Sequence, residues 1–307
     1  MHSHSHNHHD HGHGHSHALP LQPNRAFIIG IVLNLGYVIM EIVYGLLHHS
    51  LALLTDAGHN LGDVAGLGLS LLAFRLAKVK ATTVYTYGYK KTTILAALLN
   101  SMILMLGVGI LGYESVIRIQ HPQPVEGGII AWVAALGIVI NGISAMLFFR
   151  GRDQELNIKG AYLHMLTDAV VSLGVVISGI IIAYTHWYIL DAIVSIAVIL
   201  IILKGTWSLL TDSFRLSLDA VPPDINLSEI TTRAEKVPGV KEFHHIHIWA
   251  MSTTENALTA HLVVENNVDN SQITTIKKEL KHQLQHLNIQ HITLETEFQH
   301  EDCKPDC

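Results

Sequence analysis

Charge is what this sequence has little of. Asp, Glu, Lys and Arg make up 14% of its 307 residues, against about 25% in an ordinary soluble domain. That deficit excludes a disordered chain or one that coats nucleic acid, and it points to a membrane. A basic excess is missing as well. The formal net charge is −6 with His neutral, so no electrostatic footprint for DNA or RNA is present. Cysteine is nearly absent: Cys303 and Cys307 stand close together at the C-terminal end and cannot make a disulfide framework. The H-E-x-x-H signature of helical zinc hydrolases does not occur. Histidine is the exception, with 23 copies, and its placement carries the functional reading.

Apolar stretches at about 26–47, 51–77, 92–117, 124–149, 160–184 and 187–209 each reach the roughly 20 residues that a bilayer core requires. The fold class is therefore a membrane bundle of six transmembrane helices. The first seventeen residues are polar and His-rich, unlike a cleavable leader, so the first run is expected to be a retained span. Loop charges set the orientation. With the N-terminus inside, the inner side holds Arg25, Arg75, Lys78, Lys80, Lys90, Lys91, Arg150, Arg152 and Lys159, and the outer side only Arg118. Both termini are then cytoplasmic, and the compact loops favour a bacterial inner membrane.

Beyond about residue 212 the pattern changes. Pro222 and Pro223 interrupt any helix, because proline lacks the amide proton and clashes with the preceding turn. Residues 228–236 and 271–286 read as helices, the second with Asn270 or Ser271 as N-cap. Residues 240–249, 256–264 and 290–298 alternate as strands. This α-β-β-α-β order makes a small cytosolic α+β domain. The expected organisation is a His-rich disordered cytoplasmic tail over 1–24, a transport domain over 25–212 and a cytosolic domain over 213–307.

Two spans carry the same motif. His59 and Asp63 lie in the second, His164 and Asp168 in the fifth, each as H-x-x-x-D. Residues four apart share one helix face, so each helix presents an imidazole beside a carboxylate. Two such helices facing each other supply two nitrogen and two oxygen ligands, which suits tetrahedral Zn2+. One such pair is readily explained as a satisfied polar contact between helices. Its duplication on a second span argues for function, since ionisable groups in a bilayer are costly. His59 and Asp63 lie nearer the outer end of their run and His164 and Asp168 nearer the inner end, so the helices must tilt or shift to bring the four together. Asp56 extends the stripe outward. Asn34, Asn100 and Asn141 are expected to make interhelical hydrogen bonds, and Gly58, Gly62, Gly66 and Gly68 to permit close packing. Glu41 and Glu114 either sit at the interface or line an outer vestibule.

The segment LALLTDAGHNLGD from Leu51 to Asp63, YGYKK from Tyr87 to Lys91 and HMLTD from His164 to Asp168 resemble the cation diffusion facilitator family of divalent-metal transporters. The resemblance implies a ferredoxin-like cytosolic domain for metal binding and dimerisation. It further implies a homodimer that exports Zn2+ in exchange for protons, with cobalt or cadmium as alternative cargo. Zn2+ is implied as transported and as regulatory ion, with no cofactor and no enzymatic activity. The resemblance places regulatory zinc in the cytosolic domain, where His244 and His261 match family ligands. Glu295 and Glu297 fall where some members use His and Asp, and a plain set of surface histidines is the alternative. Thr93 stands where many members are acidic. The loop from Arg75 to Lys91 has no His, Asp or Glu, so no second metal site is expected there. Cys303 and Cys307 resemble the terminal cysteine pair of some members.

Strand alternation places His245, His247 and Trp249 on one face and His244, Ile246 and Ile248 on the other. On the second strand His261 lies with Ala257, Thr259 and Val263. On the third, His291, Thr293, Glu295 and Glu297 share a face. The N-terminal seventeen residues hold nine histidines among Ser, Asn, Gly and Asp, a composition that gathers metal loosely without fixed geometry. An expression tag is the alternative, and the interruptions argue against it. Metal binding needs neutral imidazole and ionised carboxylate, and an ordinary His titrates near pH 6.5, at about physiological pH. Two rivals remain: an intramembrane zinc hydrolase, which needs an open coordination position, and a membrane-bound metal sensor through which nothing passes.

Overall fold

The structure, a computed structural model, describes residues 25–149 and 156–298. The His-rich segment 1–24, Arg150, Arg152, Cys303 and Cys307 lie outside the described residues. The chain forms two compact units. The first comprises the described residues up to Gly68 together with Asn100–Leu209, and the second comprises Leu69–Leu99 together with the described residues from Leu210.

The first unit draws on α1 (Arg25–Leu47), α2 (Leu51–Ala77), α3 (Thr92–Gln120), α4 (Gly127–Phe149), α5 (Leu156–Thr185) and α6 (Ile189–Ser217). Helices α2 to α6 are long and apolar enough to cross a membrane, and α1 is apolar over Val32–Leu47. Their polarity is arranged for lipid. Leu106, Met146 and Tyr184 are exposed, whereas Glu41, Asn60, Asn141, Asp168 and Ser172 are buried. In a bilayer, apolar side chains meet a solvent as apolar as themselves, so polar groups turn inward and small residues bring helices together.

Gly127 and Gly179 do this between α4 and α5. A Cβ at Gly179 would lie 2.7 Å from the Ala131 amide nitrogen and 2.8 Å from the Gly127 carbonyl oxygen. Both atoms belong to backbone and cannot yield. Gly179→Val is therefore expected to destabilise the bundle by about 1–3 kcal/mol, the usual range for overpacking. Thermal unfolding of the detergent-solubilised chain measures it, and an unchanged midpoint would show that the helices need not approach so closely. On α2, a Cβ would crowd Leu104 at Gly62 and Asn100 at Gly66, as expected of packing glycines; at Gly58 it would make ordinary contact with Leu111, and Gly68 faces open space.

Asn141 departs from expectation. Among the described residues, neither amide atom of Asn141 has a hydrogen-bond partner, nor does Asn34 Oδ1. A contact invisible to sequence is supplied by Asp191 at the start of α6. Its carboxylate accepts from Ser50 Oγ at 2.6 Å, the Leu51 amide at 2.7 Å and the Ala52 amide at 3.3 Å. These amides open α2 and have no partner within their own helix, so the carboxylate caps α2 and complements the positive end of its dipole.

The second unit contains α7 (Leu227–Glu235), β1 (Val240–Ala250), β2 (Asn256–Val264), α8 (Asn270–Gln285) and β3 (His291–Phe298). The sheet order is β1-β2-β3, with β1 and β2 antiparallel and β2 and β3 parallel. A parallel pair needs a crossover, and α8 provides it. Phe243, Ile248, Leu258, Leu262, Leu280 and Leu284 form its core. The Asn226 side chain caps α7. For α8 the expected cap at Asn270 or Ser271 is corrected to Asp269, which forms a capping box with Gln272. Its carboxylate reaches the Gln272 amide at 2.7 Å, while the Gln272 side chain accepts from the Asp269 amide at 2.8 Å.

Simple alternation also fails in β1. The register shifts between His244 and His247, and His245 adopts φ 46°, a value uncommon for a residue with a Cβ. The extra residue of this bulge reverses the facing of the residues after it. Phe243, Ile246 and Ile248 all pack on the core, while His244 pairs with His261. The expected grouping of His244 with Ile246 and Ile248 is therefore corrected.

Candidate metal centres

Helices α2 and α5 bring both H-x-x-x-D motifs into one cluster. His164 Nε2 lies 3.0 Å from Asp63 Oδ2 and 3.6 Å from Asp168 Oδ2. His59 Nε2 lies 3.7 Å from Asp63 Oδ2 and 3.5 Å from Asp168 Oδ1. Each ring nitrogen thus faces both carboxylates. Zinc bonds of about 2.0–2.2 Å to nitrogen and oxygen make tetrahedral edges of about 3.3–3.6 Å. The four nitrogen-to-carboxylate separations straddle that range. His59, Asp63 and His164 form the tighter group, and Asp168 is the most deeply buried of the four.

The expected mismatch in depth does not keep the two pairs apart. α5 starts at Leu156 instead of about residue 160, which sets His164 about one further turn from its start. On α2 (Leu51–Ala77), His59 and Asp63 stand about two and three turns from the helix start.

Sequence left Glu41 and Glu114 open. Glu41 is fully buried and accepts from Asn60 Nδ2 at 3.2 Å. Glu114 is part-exposed and pairs with Arg118 at 3.4 Å one turn along α3. Asp56 is buried and accepts from Ser172 Oγ at 3.3 Å.

The sheet of the second unit gathers the other candidate ligands. His244 and His261 are cross-strand partners, and His261 pairs in turn with Glu295. Glu297 Oε1 lies 2.5 Å from His261 Nδ1 and its Oε2 3.5 Å from His244 Nε2. Those three residues form a group able to hold an ion. Glu295 stands outside that group. It reaches His261 Nε2 at 3.6 Å but is largely exposed. Sequence alternation missed His245, whose ring lies 4.9 Å from that of His261. The bulge puts it there, and no periodicity signals a bulge.

Residues 27–216 match the model of the cation efflux transmembrane domain, and residues 222–298 match that of the cation efflux protein cytoplasmic domain. The chain belongs to the cation diffusion facilitator family. A cadmium, cobalt and zinc/H(+)-K(+) antiporter of Bacillus subtilis is 34% identical over 92% of this chain and 93% of its own length. The zinc transporter ZitB of Escherichia coli is 35% identical over 94% of this chain and 92% of its own. The metal cation efflux system protein CzcD of Cupriavidus metallidurans is 37% identical over 90% and 87%. As a member of the cation diffusion facilitator family the chain is a multi-pass membrane protein for divalent-cation efflux.

Proposed function

We propose that this chain exports Zn2+ from the cytoplasm in exchange for protons, through His59, Asp63, His164 and Asp168. The observation that carries the reading is that each ring nitrogen of His59 and His164 lies within 3.0–3.7 Å of both carboxylates on α2 and α5. Two carboxylates balance the charge of a divalent ion, which lowers the cost of holding it in a low-dielectric interior. Zinc requires unprotonated rings, so its entry from a neutral compartment releases protons and its exit toward an acidic one takes them up. Exposure of the cluster to each side in turn is alternating access. The six spans, the cytoplasmic termini and the bacterial inner membrane belong to this reading. So do a ferredoxin-like cytosolic domain and a homodimer, supported by the match to the cytoplasmic domain of the family.

Cobalt and cadmium are secondary cargo in this reading, since Co2+ accepts the same donors as Zn2+ and relatives are named for both metals. Everted membrane vesicles provide the test. Zinc is expected to accumulate under a pH gradient and to stop accumulating when the gradient is dissipated. Binding without movement would favour the sensor, and hydrolysis without movement an enzyme.

His244, His261 and Glu297 serve in this proposal as a regulatory zinc site, with Glu295 at its edge. In the full chain carrying Asp63→Ala to disable the transport cluster, His261→Ala should weaken zinc binding by at least about tenfold, in line with losses at metal shells. Glu295→Ala should change it little. Titration calorimetry distinguishes these results, and equal effects would place Glu295 among the ligands after all.

A further inference from the structure

One buried polar group in the bundle is unused by the proposed transport cluster. Glu41 on α1 and Asp56 on α2 are both buried, and their carboxyl groups lie against each other. Asn60 on α2 is fully buried and turns its amide to Glu41. Glu41 Oε1, Asp56 Oδ1 and Asn60 Oδ1 each lack a hydrogen-bond partner among the described residues, and so does the buried Tyr37 hydroxyl beside Glu41. Ser172 on α5 donates to the other oxygen of Asp56.

His59, about one turn along α2, is the basic group beside Asp56, and no Lys or Arg of these helices balances the pair. Apart from Arg25, Arg75 and Lys159 at their ends, α1, α2 and α5 contain no Lys or Arg, and α4 contains none at all. Two carboxyl groups side by side in a low-dielectric interior require either a shared proton or positive charge between them. Buried acceptors without donors carry a desolvation cost that a bound ion removes. A divalent cation supplies both the charge and the partner for the three free oxygens. Donor chemistry sets its class, because oxygen donors alone suit hard cations and hold Zn2+ less firmly than imidazole does. Asp56 precedes His59 by about one helical turn, and Ser172 follows Asp168 by about one.

We propose that Glu41, Asp56 and Asn60 form a second, all-oxygen divalent-cation site one turn from the transport cluster, and that cargo passes through it. Its role rests on the transport reading, although its existence does not. A weaker site beside a stronger one gives a released ion a place to go without returning. Removing the site should slow release while leaving capture intact.

Two measurements on the full chain decide the matter, the first using Mn2+ as the probe because it prefers oxygen donors. In His59→Ala/His164→Ala protein, which lacks the transport cluster, electron paramagnetic resonance should count bound Mn2+. Adding Glu41→Gln and Asp56→Asn should remove about one Mn2+ per chain. An unchanged count would mean that the carboxyls merely share a proton, and it would overturn the proposal. In the second measurement Glu41→Gln/Asp56→Asn is made with the histidines intact. Zinc affinity should persist, which also reports a folded cluster, while zinc flux falls by at least about tenfold. Loss of zinc affinity would make these residues part of the first site and overturn a separate one. Undiminished flux would overturn the role as a stop for cargo. Absence of flux in the wild type would refute the transport reading, and the Mn2+ count would still decide whether the site exists.

Discussion

Asp63→Ala is expected to stop zinc flux while the protein still inserts and folds. Asp63 Oδ2 is the atom that both rings address, at 3.0 Å from His164 Nε2 and 3.7 Å from His59 Nε2. Its removal takes away one ligand and one of two negative charges. Zn2+ would then be held by two neutral rings and one carboxylate, with a net positive charge inside the bilayer, where an unbalanced charge is expensive. Changes one shell further out already cost about 10–100-fold in metal affinity, so loss of a ligand should reduce flux by at least about 100-fold. Asp63→Asn keeps the shape and removes the charge, and should fail nearly as badly. Flux into everted vesicles is the measurement, with size-exclusion elution of the solubilised protein as the control for folding. Wild-type flux in Asp63→Ala would remove Asp63 from the site.

His59→Asp should change which metal is carried. The site would then offer one nitrogen and three carboxylate oxygens, with one further negative charge. Borderline-soft Zn2+ loses a preferred donor, whereas oxygen-rich sites suit harder ions such as Mn2+. His59 Nε2 faces both Asp63 and Asp168 at 3.7 and 3.5 Å, so a carboxylate placed there enters the same cluster. Preference for Zn2+ over Mn2+ should fall by at least about tenfold, an order taken from metal-shell substitutions, and Cd2+ should gain as the larger ion, since fewer ligands then favour a small one. Competitive uptake of Zn2+, Cd2+, Mn2+ and Mg2+ by wild type and variant reads this directly. Unchanged ratios would show that His59 does not set selectivity, and a wild type preferring Mn2+ would contradict the nitrogen-and-oxygen argument.

Local regularities made much of the molecule legible. The apolar runs predicted α2 to α6 because a bilayer demands length and apolarity, both of which can be counted along the chain. The α-β-β-α-β order was legible because helices and strands impose different periods on burial, and β1 to β3 lie within a residue or two of expectation. The pairing of His59 with Asp63, and of His164 with Asp168, follows from one turn of helix. Helix caps were less legible: Asp269 stands one residue before the expected cap, since neighbouring polar residues compete for that role and only backbone geometry selects between them.

Sequence by itself determined which residues could ligate a metal and which helices carry them, because spacing within one helix is dictated by its pitch. Only the tertiary structure decided that Asp63 meets His164 across 101 positions of chain, that Asp191 caps α2 from 140 positions away, and that Glu41 lies buried against Asp56. It also decided which histidines of β1 face His261, through the bulge at His245. Periodicity reports which face of an element is buried. It does not report which other element covers that face, at what depth, or where one inserted residue reverses the facing, because those depend on side-chain packing between segments remote in sequence.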